Sequence, residues 1–118
     1  GWEAFVKRFN EHSAKGSAYT MMGVQRTRPD ILTLGDQMKK NDLPALIVLG
    51  DEDVAGLEGC LYIKKCMTRA GFWMVPQTGH SVNLEEPTIF NHVLLDFLTA
   101  VDTGRWNPRD PKAMTALM

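Results

Sequence analysis

The chain has 118 residues, is 44% hydrophobic and carries a net charge of −1 with acids and bases interspersed. That is enough for one domain with a modest core. Its apolar runs, such as Ala45–Leu49, fall far short of the ~20 residues a membrane-crossing helix needs, and no basic run interleaved with aromatics offers a nucleic-acid surface.

Taken in chain order, Trp2, Phe5, Val6 and Phe9 recur at helical spacing and predict a helix over Trp2–His12. The stretch Ala14–Arg28 is less periodic, punctuated by Gly16 and Gly23, with Met21, Met22 and Val24 as its apolar cluster. Pro29 suits the first turn of a helix running to Lys40, with Ile31, Leu32, Leu34 and Met38 on its apolar side and Gly35 as its weak point. Pro44 and Gly50 bracket Ala45-Leu46-Ile47-Val48-Leu49, a run that reads as a strand buried on both faces of a parallel sheet. Leu57, Cys60, Leu61, Lys64 and Met67 form one helical stripe, which Gly71 is expected to end. Phe72–Val75 reads as a second short strand. After Pro87, a strong helical pattern is set by Ile89, Phe90, Val93, Leu94, Phe97, Leu98 and Val101. The tail from Asp102 holds two prolines, Pro108 and Pro111, and is expected to be loosely ordered unless Trp106 pins it.

The pattern divides the chain into residues 1–42, a strand–helix–strand–helix unit over 43–101, and a tail over 102–118. The expected class is α/β. Two parallel strands make a very small sheet, and each leaves an edge that wants a partner. The chain is therefore expected to form homo-oligomers when isolated. Cys60 and Cys66 form no C-x-x-C pair and no histidine cluster accompanies them. They read as reduced thiols of a cytoplasmic protein, with no metal and no cofactor expected.

The two strands end in loops that carry chemistry. Gly50-Asp51-Glu52-Asp53 follows the first, and Gln77-Thr78-Gly79-His80 follows the second. In a parallel sheet both loops open onto the carboxyl edge, where such sheets place their sites. A carboxylate bonded to one imidazole nitrogen fixes the tautomer and stabilises the imidazolium that forms when the other nitrogen takes a proton. The remaining polar candidates have blander explanations. Asp51 is the rival acid, and Glu52 reads as solvated. Glu85 and Glu86, beside Pro87, read as favouring a helix N-terminus through its macrodipole. His92 falls on a polar helix side, His12 has no recognisable partner, and Arg26 and Arg28 read as solvated charges. Met21, Met22 and Trp2 could line an acyl pocket but fit core or cap packing as well.

The stretch Leu43–Val101 resembles the C-terminal part of the α/β-hydrolase superfamily of lipases, esterases and haloalkane dehalogenases. "LPALIVLGDED" is similar to that family's acid-bearing strand and turn. "MVPQTGHSVNLEEPTIFNHVLLDFL" is similar to its last strand, its G-H turn, the E-x-P that follows and its closing helix. The segment before Leu43 resembles the end of the family's cap and the helix that returns to the sheet, by position and pattern. The resemblance implies Asp53 as triad acid and His80 as base, acting on a small-molecule substrate through ester or related bond hydrolysis. The family's nucleophile precedes both on a G-x-S-x-G elbow or an Asp-bearing variant. Ser13, Ser17 and Ser81 lie in no such elbow. The chain is thus expected to be a C-terminal fragment, inactive alone, whose partner is the missing N-terminal hydrolase region. The alternative is a non-catalytic interaction module of the same descent that self-associates through its strand edges.

Overall fold

The computed structural model describes residues 2–112. The chain divides into two compact units, with the boundary between Asp30 and Ile31.

In the first unit, α1 spans Trp2–Asn10 and α2 spans Ala14–Thr20, followed by a π-helical turn over Met21–Gln25. The segment after Ala14, which lacks periodicity, is helical because its start is capped. Ser13 stands at the N-cap, and its hydroxyl oxygen accepts the Gly16 amide at 3.2 Å. Along α1 the apolar side is an aromatic ladder. Trp2 stacks on Phe5 at 5.5 Å, Phe5 on Phe9 at 6.0 Å, and Phe9 meets the His12 ring edge-on at 5.8 Å. His12 also has a backbone partner, the Phe9 carbonyl, 3.2 Å from Nδ1.

The second unit is α/β. Its sheet has two parallel strands, β1 (Ala45–Gly50) and β2 (Ala70–Val75), joined through helix α4 (Val54–Cys66). The register pairs Ile47 with Phe72 and Val48 with Trp73. Each strand has one edge unpaired among the described residues. On one face Ile47, Met67 and Ala70 form the core, with Met38, Cys60, Ile63 and Phe72 packed around it. On the other face lie Leu46 and Trp73, which share a cavity of about 490 Å³ with Val93, Phe97 and Trp106. The strands are therefore not buried on both faces as their apolar runs suggest. Ile47 and Leu49 are buried while Leu46 and Val48 are only half-buried. The cause is the sheet's width, since two strands give α6 (Pro87–Asp102) too little surface to close against. No residue of α6 is buried, and Ile89 and Leu98 are each 45% exposed.

Two further expectations change in detail. The helix expected over Pro29–Lys40 is a 3₁₀ turn over Ile31–Leu34 followed by α3, Gly35–Lys39. Tyr62 packs at this break: its hydroxyl donates to the Leu32 carbonyl at 2.8 Å, and a Cβ on Gly35 would stand 2.2 Å from that hydroxyl. Gly71 does not end a helix but lies inside β2, because the Trp106 ring covers its Cα. A Cβ there would stand 2.5 Å from Cζ2 and Cη2 of the indole. The tail is anchored through the same ring. Trp106 Nε1–H donates to the Arg69 carbonyl at 2.8 Å, Arg69 Nη2 donates to the Trp106 carbonyl at 2.7 Å, and the indole meets Phe97 edge-on at 4.8 Å. Beyond it, the Arg109 amide donates to the Thr68 carbonyl at 2.9 Å. Residues 113–118, part of the tail expected to be loose, lie outside the described residues. Both cysteines are free thiols, Cys66 buried and Cys60 half-buried. Among the described residues no helix is long and apolar enough to cross a membrane.

Candidate functional site

The carboxyl ends of β1 and β2 lie side by side, so the loops that follow them meet. Gly50 makes the meeting close. A Cβ on it would stand 2.1 Å from the Thr78 carbonyl oxygen and 2.2 Å from that of Gly79, a distance only a glycine tolerates. Two backbone-centred bonds tie the loops together. The Glu52 amide donates to the Thr78 carbonyl at 3.1 Å, and the Thr78 amide donates to Asp51 Oδ1 at 3.3 Å. Thr78 is 1% exposed, and its hydroxyl donates to the Pro76 carbonyl at 3.0 Å. Gln77 takes the turn at φ 55°, in the left-handed region that costs a side chain roughly 1 kcal/mol.

On this frame Asp53 Oδ2 lies 2.7 Å from His80 Nδ1. The carboxylate is mostly shielded, with its side chain 13% exposed, whereas the imidazole is 88% exposed. An ionised carboxylate only accepts hydrogen bonds, so Nδ1 of neutral His80 carries the proton and donates it. The Nε2 lone pair is then left facing outward as a base. Asp51, the rival acid, is engaged with Thr78 instead.

Asp53 also stands at the N-cap of α4, where an aspartate ordinarily accepts an amide of the first turn and contributes about 1 kcal/mol. Here its side chain makes no capping bond. The carboxylate is turned to the histidine, with room supplied by Gly56, where a Cβ would stand 2.9 Å from Asp53 Oδ2. A local rule set aside in this way is the kind of departure functional sites show.

Glu85 does something the sequence reading missed. It lies in α5 (Val82–Glu85), and its carboxylate turns back onto the histidine loop rather than lying at the start of α6. Oε2 accepts the Gly79 amide at 2.9 Å and Oε1 accepts the Ser81 amide at 3.1 Å. The available signal was its spacing after Gly79, close enough for a short helical turn to bring it back. Two other candidates have partners of their own. His92 pairs along its own helix with Asp96 at 3.4 Å, exposed, and Ser13 is spent as the cap of α2. Cys60 has its thiol pushed up, first by burial and then by the Asp53 carboxylate, so it is a poor nucleophile at neutral pH. Among the described residues no cluster of histidine, cysteine and carboxylate side chains could hold a metal ion.

No family model matches the chain, and no solved structure matches it. Among curated proteins it is similar to one of Bacillus subtilis (strain 168) named "Putative 2-succinyl-6-hydroxy-2,4-cyclohexadiene-1-carboxylate synthase", 26% identical over 69 residues. The match covers 58% of this chain and 25% of that protein, so the chain spans well under half the length of the relative.

Proposed function

We propose that Asp53 and His80 are the acid and the base of a nucleophile–histidine–acid site in a protein of α/β-hydrolase ancestry. The observation that carries the reading is the 2.7 Å contact between Asp53 Oδ2 and His80 Nδ1 at the carboxyl edge of a parallel sheet. The incomplete α/β sheet and the likeness to an enzyme of Bacillus subtilis support it.

In this reading Nε2 of His80 takes the proton of a nucleophile as the nucleophile attacks an ester-like carbonyl. Asp53 holds the ring in the productive tautomer and stabilises the imidazolium. His80 then returns the proton to the leaving group, and water repeats the cycle on the covalent intermediate. The nucleophile and the donors that stabilise the oxyanion come from polypeptide beyond these residues, and the substrate is a small molecule. No cofactor takes part.

The test is turnover of a short-chain chromogenic ester. The 118-residue chain should hydrolyse it no faster than free imidazole, because nucleophile and oxyanion donors are missing. The longer polypeptide the reading requires should turn it over, and His80→Ala should lower that rate by about 10²–10⁴, the usual worth of a general base. Turnover by the isolated chain that His80→Ala abolishes would overturn the division of the site between two parts.

A second reading, a self-associating interaction module without chemistry, is favoured by the unclosed helix α6 and the two open strand edges.

A further inference from the structure

We propose that Glu85 is a positioning residue for His80. It acts through the backbone on either side of the histidine. The Gly79 amide donates to Oε2 at 2.9 Å and the Ser81 amide donates to Oε1 at 3.1 Å. One carboxylate thus grips the residue before His80 and the residue after it. A carboxylate that accepts two backbone N–H groups makes charge-assisted bonds, roughly twice as strong as neutral ones.

The grip matters because little else holds the ring. His80 is 88% exposed, so no packed neighbours set its rotamer. Among the described residues its side-chain hydrogen-bond partner is Asp53, and the Asp53 carboxylate is fixed on the other loop, beside Gly56. The ring therefore reaches Asp53 only if the His80 backbone is held at one place and one orientation. Thr78 is tied down from the Gly50 side by Asp51 and Glu52. From Gly79 onward the ties pass to Glu85. Gly79 is suited to its place there, since a Cβ would stand 3.1 Å from Oε1 and 3.2 Å from Oε2, closer than ordinary contact. The two amides converge on one carboxylate because α5 is a single short turn: the Leu84 and Glu85 amides bond back to the Ser81 carbonyl at 2.8 and 2.9 Å, which folds Glu85 over the loop.

The catalytic meaning of this role rests on His80 being the base, but the test reads the ring itself and not turnover. In the isotope-labelled chain, the 15N shifts of His80 report which nitrogen carries the proton, and amide exchange reports the bonds of Gly79 and Ser81. In the parent the ring should be one tautomer, protonated on Nδ1. Glu85→Ala should lower the protection of both amides about tenfold, the loss of a net hydrogen bond each, and should leave His80 as a mixture of tautomers. Glu85→Gln keeps the size of the side chain but offers one acceptor oxygen, so one amide should keep its protection and the tautomer bias should fall part-way. Amides of Ile47 and Leu49 in β1 report that the sheet is intact. If Glu85→Ala unfolds the sheet, Glu85→Gln decides. An unchanged single tautomer in a folded Glu85 variant overturns the inference. That failure is distinct from failure of the catalytic reading, which would show as turnover indifferent to His80→Ala.

Discussion

Gly50→Ala is the substitution that most directly tests how the site is built. The new methyl group would stand 2.1 Å from the Thr78 carbonyl oxygen, where ordinary contact begins at 3.4 Å, so loop and strand must part by about 1.3 Å. The strand cannot give, because Gly50 is buried and its neighbour Leu49 is 5% exposed. The loop cannot give cheaply either, because the Thr78 amide and carbonyl are bonded to Asp51 and to the Glu52 amide. Overpacking costs about 1–3 kcal/mol, and each of the two loosened bonds about 1 kcal/mol, so a loss of at least about 3 kcal/mol is expected. At a urea slope of about 1.5 kcal/mol/M, that moves the unfolding midpoint down by about 2 M with the slope unchanged. His80 rides on the displaced loop, so its bond to Asp53 should also break and its ring should become a mixture of tautomers. A midpoint within about 0.3 M of the parent's, with His80 still one tautomer, would refute the reasoning.

Gly71→Ala should drive the Trp106 ring off β2, since the added Cβ would stand 2.5 Å from the indole; about 2 kcal/mol of overpacking and rapid proteolysis between Arg105 and Lys112 are expected, and a tail as resistant as the parent's would contradict this. Cys60 should alkylate with iodoacetamide at pH 8 more slowly than glutathione, because burial and then the Asp53 carboxylate hold its thiol above the ordinary value. Because the folded-state value is raised, the linked stability is fully present below the ordinary thiol value and is lost as pH rises through the folded one; a Cys60→Ala variant with the same alkaline stability profile would contradict that. The isolated chain should self-associate as concentration rises, through open strand edges and the incompletely covered α6; sedimentation showing a compact monomer throughout would contradict it.

The second unit was legible because its signals are local and strong. Pro44 and Gly50 bracket β1, Pro87 opens α6, and the loops after the strands carry Asp53 and His80. What was not legible depends on residues far apart in the chain. Gly71 reads as a helix end in sequence, yet it lies in a strand because Trp106 arrives from the tail. The helix expected from Pro29 breaks where Tyr62, thirty positions on, meets Leu32. Glu85 reads as a contributor to the start of α6, and only the turn of α5 brings its carboxylate back over Gly79 and Ser81. The apolar runs suggest burial on both strand faces, but such a run reports what a strand can bury and not how wide its sheet is.

With the His80 ring open to solvent, its pair with Asp53 contributes about 0–1 kcal/mol to stability, so its worth must be read in turnover. The most direct measurement is a double-mutant cycle in the longer polypeptide the proposal requires, taking kcat/KM on a substrate it hydrolyses for Asp53→Ala, His80→Ala and the double variant, with Asp51→Ala alongside. Groups that act as one unit are not additive. The account predicts that the double variant is no worse than His80→Ala alone and that Asp51→Ala falls well short of Asp53→Ala. Losses that multiply, or an Asp51→Ala loss equal to that of Asp53→Ala, would contradict it.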